Sequence, residues 1–312
     1  MEAVACNLCG IENSEPLFRG RDRLLGGTQI FHSVRCRSCG LIYLNPRPDL
    51  DEIARYYPAE YEPFTRYKRV QSWAARLSYQ RSMNKKCRIA AYGLKPGRLL
   101  DVGCGSGDFL LKMQQVGWEV YGLDLNAAAC EEAGRRGLEV FQGQLFDLPY
   151  PDHSFDVLTM WDVLEHLHDP LSNLKRVAQL LKPGGRFTVT LPNPDGLDFR
   201  IFGRIWTGLD VPRHLYVFPR KTLMALFQKA GLDVVSSRCM TGGQRVSTWS
   251  LEWLIDEHIS DPSHQRRLKK MIYTPVWYWA WRPFYFILDL FRGGSSITYK
   301  CTQSSSRTLE KG

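Results

Sequence analysis

Three groups of residues in this chain have the types and the spacing to do chemistry. The first is a set of four thiols, Cys6-x-x-Cys9-Gly and Cys36-x-x-Cys39-Gly, with 26 residues between the two knuckles. Each turn points two thiolates at one cation, and four thiolates close a tetrahedral zinc site that has no open coordination position. The Zn2+ expected at Cys6, Cys9, Cys36 and Cys39 is therefore structural. The second group lies in residues 99–110, where an apolar strand ends at Val102 and the chain turns through Gly103, Gly105 and Gly107 into an amphipathic helix. Glycines at such a turn let the backbone approach a ligand closely, and the new helix offers unpaired N–H groups. Asp108 stands where a nicotinamide-type Gly-x-Gly-x-x-Gly fingerprint needs its third glycine, so the turn departs from that form. The third group is His166, His168 and His214 with Asp162-Val-Leu-Glu165-His166. An imidazole with an ordinary pKa of about 6.5 suits deprotonation of a hydroxyl or an enolisable carbon. Two carboxylates and an imidazole also form a donor set for a divalent cation.

The elements that must position these groups follow from the hydrophobic pattern. Strands read at 98–102, 119–124, 138–142, 155–160 and 186–191, with helices near 107–116, 126–136, 170–181 and 220–230. Alternation of this kind predicts a parallel sheet with helices on both faces and ligands at the carboxyl ends of the strands. Asp124 ends the strand Val-Tyr-Gly-Leu-Asp, where it can accept from two ribose hydroxyls. Asp147 follows the next strand, placed to accept from an adenine amino group with Leu148 over the ring. Before this core, a short strand after Cys39 stops at Pro46, Asp49 caps a short helix up to residue 57, and a Tyr-rich loop covers 56–61. A basic amphipathic helix over about 70–92 then leads into the sheet.

Taken in order, Asp101-x-Gly103-x-Gly105-x-Gly107, Asp124, Phe146-Asp147-Leu-Pro, Phe155-Asp-Val-Leu, Leu164-Glu165-His166 and Leu181-Lys-Pro-Gly-Gly185 resemble the small-molecule branch of the class I S-adenosylmethionine-dependent methyltransferases. The match runs over residues 94–240 and implies an α/β, Rossmann-like fold: a seven-stranded sheet whose last strand is antiparallel, assigned here to Ser296–Gln303. In the family, the acid at Asp124 holds the ribose, Gly103 and Gly105 pass under the methionine portion, and Asp147 reads adenine. The resemblance adds Asp101, Cys104, Gly107, Leu125, Leu148 and Trp161 to the cofactor set. The stretch Asp210-Val-Pro-Arg213-His214-Leu-Tyr-Val-Phe is similar to the His-Leu-x-x-Phe element of sugar methyltransferases, zinc-bearing C-methyltransferases among them, where the histidine is the base. Those C-methyltransferases carry Glu-His, whereas this chain has Arg213-His214, which favours oxygen over carbon as acceptor. Asp162-Val-Leu-Glu165-His166 resembles the Glu-x-x-Glu-His of quinone-biosynthesis O-methyltransferases, where the three groups hold a divalent cation; Asp162 is one methylene shorter.

These signals divide the chain into a zinc-ribbon-like module at 1–48, a helical basic linker or lid at 49–93, and a methyltransferase domain formed by 94–240 with 294–304. An aromatic helical insertion occupies 241–293 and a disordered tail 305–312. Ten Lys/Arg and no acid lie between Arg66 and Arg98, enough to account for the net charge of +9 and suggesting an anionic partner or a solvated helix face. Residues 272–292 hold Trp277, Trp279 and Trp281 among other aromatics, which suits peripheral contact with a membrane interface, a lipid-linked acceptor, a dimer contact or packing on the sheet. A polar N-terminus, nine cysteines and no apolar run of spanning length point to a reducing, cytoplasmic setting. The expected activity is O-methylation of a sugar, glycan or natural-product small molecule, lipid- or nucleotide-linked forms included, with His214 and His166 as the candidate catalytic residues. The zinc module and basic segment also fit an RNA base methyltransferase, but no Asn-Pro-Pro-Tyr-type motif and no RNA-binding domain is recognisable. A non-enzymatic scaffold would require a damaged cofactor turn, and this one is intact.

Overall fold

The computed structural model describes residues 1–57, 73–239 and 243–304. The expectations for Tyr61, for the start of the basic helix before residue 73 and for the tail 305–312 lie outside these. Strand β1 (Ser14–Arg21) pairs antiparallel with β2 (Ile30–Cys36), and β2 with β3 (Ile42–Leu44). Asp49 caps α1 (Leu50–Ile53) by accepting from the N–H of Glu52, whose side chain answers with a reciprocal capping contact. Helix α2 (Trp73–Ala91) leads into the core.

There β4 (Arg98–Val102), α3 (Asp108–Gln115), β5 (Glu119–Asp124), α4 (Ala127–Arg135), β6 (Glu139–Gln142), β7 (Phe155–Trp161), α5 (Pro170–Leu180) and β8 (Leu181–Pro192) alternate as the pattern requires. After β8 come α6 (Leu197–Phe202), β9 (Tyr216–Val217), α7 (Arg220–Ala230) and β10 (Leu232–Cys239). Three helices, α8 (Gly243–His258), α9 (Pro262–Ile272) and α10 (Pro275–Leu290), precede β11 (Ser296–Gln303). The large sheet has the order β10-β11-β8-β7-β4-β5-β6, and β11 is antiparallel to both neighbours. This is the seven-stranded sheet with an antiparallel last strand that the motif order implies.

The sheet is buried on both faces, so its strands read as continuous apolar runs. Adjacent residues divide between the faces. Leu100 and Leu158 pack with Leu174 of α5 and Phe227 of α7, while Leu99 and Val157 pack with Met83 of α2 and Met113 of α3. Strand β8 begins five residues earlier than the apolar pattern indicates, because Leu181-Lys-Pro-Gly-Gly185 enters it through an irregularity in its register with β7.

The smaller sheet has the order β1-β2-β3-β9. Its fourth strand comes from the far side of the chain, directly after His214. The N-terminal module and the large sheet also share one core, in which Cys6, Leu8, Cys36 and Tyr43 are continuous with Leu100 and Leu174.

Candidate active site

At the end of β4 the N–H groups of Gly103 and Cys104 both donate to the Leu123 carbonyl, at 2.7 and 3.1 Å, which locks the turn against β5. Gly105 N–H donates to Asp124 Oδ2 at 2.8 Å, and Asn126 N–H to Asp124 Oδ1 at 2.9 Å. Gly105 has φ +54°, and a Cβ placed on it would meet nothing within 4 Å, so the turn leaves an open cradle beside the carboxylate. At Gly107, φ +81°, a Cβ would stand 2.1 Å from Leu138 Cδ1; glycine there lets α3 close onto the chain entering β6. Asp108 accepts from Arg136 at 2.6 Å and from the Tyr79 hydroxyl, which fastens α2 over the start of α3. A carboxylate at that helix start also complements the helix dipole.

The other cofactor candidates spread around this cradle. Burial raises the Asp124 carboxyl above its ordinary pKa, opposed by the N–H groups it accepts. Asp101 is 2% exposed, accepts from the Thr159 hydroxyl, and is pushed up to about 7 by burial. Cys104 is buried. Trp161 is buried edge-on against Phe109, with the Lys86 ammonium 4.9 Å from its ring centre. Asp147 is exposed and accepts from Gln144 N–H at 2.8 Å. Leu148, expected to cover the adenine, instead sits in the main core at 5% exposure. The free apolar surfaces at that corner belong to Phe146 and Leu125, 52% and 64% exposed. Phe146 lies inside a recognised motif, but only its exposure marks it as available to a ring.

The loop after β7 borders the same turn, since Val163 Cγ2 lies 2.4 Å from where a Gly103 Cβ would stand. It carries Asp162, at φ +59°, then Glu165 and His166. Glu165 is 1% exposed, and neither carboxylate oxygen has a hydrogen-bond partner. His214 Nε2 is 4.0 Å from Glu165 Oε1, and the His166 and His214 rings meet edge-on at 4.7 Å. One ligand atom from each of Glu165, His166 and His214 falls within 4.8 Å of the others. Asp162, grouped with Glu165 and His166 by sequence spacing, stands outside this triangle, and His214 from 48 positions further on takes the third corner. His168 is also elsewhere: its Nε2 faces the Pro48 carbonyl at 3.0 Å, between the module and the sheet.

The tautomers follow from the partners. His214 Nδ1 lies 2.8 Å from the Gly208 carbonyl, and His166 Nδ1 lies 3.0 Å from the Arg213 carbonyl. A carbonyl only accepts, so each Nδ1 bears the hydrogen and each Nε2 presents a lone pair. The Tyr57 hydroxyl also reaches His166 Nδ1, at 2.8 Å. Burial holds His166 down to about 3 and lowers His214 as well. Burial raises Glu165 well above its ordinary value, with the Asp162 charge adding to it. Burial thus favours the uncharged form at all three corners, a protonated carboxyl and two neutral imidazoles. Two nitrogens and an oxygen also make a donor set for a divalent cation, whose charge would ionise Glu165.

His214 is held from the N-terminal module. Arg213 is fully buried and donates to Asp22 through two N–H···O contacts of 2.9 Å, and to Asp210 through contacts of 2.9 and 2.6 Å. Asp22 directly follows β1, so the module clamps the residue next to the histidine. Leu215 N–H then donates to the Glu165 carbonyl at 2.9 Å, and β9 joins β3. No such partner for Arg213 is readable in the sequence, where Asp22 lies 191 positions away.

The four N-terminal thiols converge, with Sγ separations of 3.4 Å for Cys6–Cys39 and 3.6 Å for Cys9–Cys36. A tetrahedron with Zn–S of about 2.3 Å requires sulfurs about 3.8 Å apart, so the cluster has the dimensions of a zinc site. The knuckles repeat one geometry: Gly10 N–H donates to the Cys6 carbonyl at 2.7 Å and Gly40 N–H to the Cys36 carbonyl at 2.9 Å.

Residues 74–237 match a family described as a methyltransferase domain. The ubiquinone biosynthesis O-methyltransferase of Cereibacter sphaeroides is 32% identical over 166 residues, covering 49% of this chain and 67% of that protein. The demethylmenaquinone methyltransferase of Bacillus licheniformis is 28% identical over 176 residues, covering 48% of this chain and 76% of that protein. Among solved structures, the complex between the Haloferax volcanii Trm112 methyltransferase activator and a methyltransferase matches with a TM-score of 0.50 and 20% identity, over 74% of this chain and 94% of that one. That last likeness is one of fold. With the family match spanning more than half of the chain, and with its seven-stranded sheet and open glycine turn, the chain belongs to the methyltransferase-domain family and is an S-adenosylmethionine-dependent methyltransferase.

Proposed function

We propose that the enzyme methylates a ring hydroxyl of phenolic or enolic type on a small molecule, with His214 as the general base. The observation that carries this reading is the triangle of Glu165, His166 and His214 beside the glycine turn, with both Glu165 oxygens unpartnered. When bound, S-adenosylmethionine supplies a methyl on a positively charged sulfur, already activated for in-line displacement. Asp124 would hold its ribose and Asp147 its adenine, while the open side of Gly105 gives room to the methionine portion. The chain must then align the acceptor, exclude water and take one proton. His214 Nε2 receives the acceptor's O–H proton, and its Nδ1–H stays anchored on the Gly208 carbonyl. Burial favours the proton on Glu165, whose oxygens have no partner, so that its carboxyl would donate to a second oxygen on the acceptor.

The acidity of the acceptor narrows the class. Burial makes His214 a weaker base than an exposed histidine. A weak base matches a phenol, with pKa about 10 like tyrosine, better than a sugar hydroxyl, which is far less acidic. The expected glycan acceptor also gains no support from the relatives, whose names concern quinone biosynthesis. A divalent cation on the triangle is the second reading, favoured by the donor set itself. We further propose that the four-thiolate cluster holds structural zinc, since its sulfur spacing suits that ion.

The test is transfer of labelled methyl from S-adenosylmethionine to polyhydroxylated aromatics and to nucleotide sugars, with and without chelator, for wild type and His214→Ala. The reading predicts methylated aromatics, chelator-resistant turnover, and loss of turnover with unchanged cofactor affinity in His214→Ala. Methylation of sugars alone would refute the acceptor class, and loss of turnover on chelation would move the role of the triangle to metal binding.

A further inference from the structure

Helix α10 exposes an apolar face that no described residue covers. None of its sixteen residues is buried. Val276, Trp279, Phe286, Ile287 and Leu290 recur at helical spacing on the outer side, with Phe291 just beyond; Val276 is 79% and Phe291 82% exposed. Trp277, Tyr285 and Leu288 are half-buried and form the inner side. A contiguous apolar patch on this scale marks an interaction site.

Charge decides among the partners. Residues 262–292 hold six Lys/Arg and a single acid, Asp289. Lys269 is paired with Glu252 and Asp256, whereas Arg266, Arg267 and Lys270 on α9 are exposed and have no ion pair among the described residues. Helix α2 adds Arg81, Lys85 and Arg88 along one side at positions i, i+4 and i+7, and Lys85 interacts electrostatically with Asp289 and Arg282 of α10. Arg81 and Arg88 face Lys112 across a groove of about 540 Å³ that has no acid among its lining residues. Isologous pairing of this face with a second copy would set cations against cations. A convex helix flanked by the exposed cations of α9 and the basic side of α2 instead suits an anionic bilayer surface: aromatic and aliphatic groups enter the interface and Lys/Arg meet the headgroups.

We propose that α10, with the cations of α9 and α2, docks the enzyme on an anionic lipid surface. The geometry gives docking a consequence for the site. Beyond α10, Asn193 Nδ2 donates to the Gly294 carbonyl at 2.7 Å, and Leu197 N–H donates to the Gly293 carbonyl at 3.0 Å. The helix thus ends at the carboxyl end of β8, the end of the sheet that carries the glycine turn. Docking brings that end to the lipid, where an apolar acceptor would be taken up. This inference does not depend on the acceptor proposed above.

Vesicle co-sedimentation of the full chain tests it, using pure phosphatidylcholine and phosphatidylcholine with about 30% phosphatidylglycerol. Binding should require phosphatidylglycerol and weaken as salt rises. It should fall more than about tenfold in Trp279→Ser/Ile287→Ser and in Arg266→Gln/Arg267→Gln/Lys270→Gln. S-adenosylmethionine affinity, read by calorimetry, should stay unchanged in both variants and so show that they fold. Absence of binding to both vesicles would overturn the proposal, as would undiminished binding by either variant. A solution dimer that Trp279→Ser dissociates, with no vesicle binding, would overturn it in favour of a second copy on this face.

Discussion

Replacing Glu165 by Gln should stabilise the protein increasingly as pH rises. The side chain is 1% exposed with both oxygens unpartnered, and burial raises its pKa well above the ordinary 4.5. Between 4.5 and the raised value the folded carboxyl keeps its proton while the unfolded one has lost it. The folded state then binds more protons than the unfolded state, so stability falls as pH rises through that window. The slope approaches about 1.4 kcal/mol per pH unit for one group. Glutamine does not titrate, so the stability of Glu165→Gln relative to wild type should grow towards that slope between pH 4.5 and the raised value and level off above it. Any cost of the buried amide shifts both ends of the comparison equally, and the two histidines cancel because both proteins carry them. Urea denaturation followed by circular dichroism from pH 4.5 to 8, on chelator-treated protein, measures the difference. A flat or inverted slope would refute the reasoning, because it would mean that Glu165 is ionised and held in the folded state. Titrating divalent cations into both proteins then separates the two readings of the triangle. A bound cation stabilises wild type as RT ln(1 + [L]/Kd) and leaves Glu165→Gln behind.

Asp22→Ala leaves the fully buried Arg213 with Asp210 as its one acidic partner, which should cost about 3–5 kcal/mol of unfolding free energy. A loss below about 1 kcal/mol would show that water reaches the guanidinium. Asp124→Ala should abolish S-adenosylmethionine binding in calorimetry, because that carboxylate both faces the cradle and holds Gly105 N–H; unchanged affinity would remove the ribose assignment. Cys36→Ser should release zinc, read by metal analysis, and lower the melting temperature, and a metal-free wild type would end the zinc proposal. Below pH about 6.5, His166 should lower stability, because burial keeps it neutral in the fold down to about 3 while the unfolded imidazole takes a proton. His166→Gln should flatten that acid limb; an unaltered limb would mean that the ring is hydrated.

The parallel strands from Arg98 to Leu191 were legible, apart from the entry to β8 at Leu181–Gly185, because burial on both faces of a sheet imposes apolar runs; the antiparallel strand Ser296–Gln303, no such run, was placed through the family resemblance. The glycine turn and the two cysteine knuckles were legible for a related reason: each is a local geometry that a few residue types at fixed spacing can satisfy. Leu148 and Phe146 show where local reading stops. Both are apolar and two positions apart, and only packing decides that the first joins the core while the second faces outward. The triangle of Glu165, His166 and His214 is less local still. Sequence spacing grouped Asp162 with Glu165 and His166, but the third corner is His214, delivered by a loop that Asp22 clamps through Arg213 and that β9 ties to the N-terminal sheet. By itself the sequence determined the class of fold, the glycine turn and the thiol cluster, all of which depend on short-range periodicity and spacing. The tertiary structure alone decided which imidazole meets the buried carboxyl, because burial and long-range pairing are properties of the assembled chain.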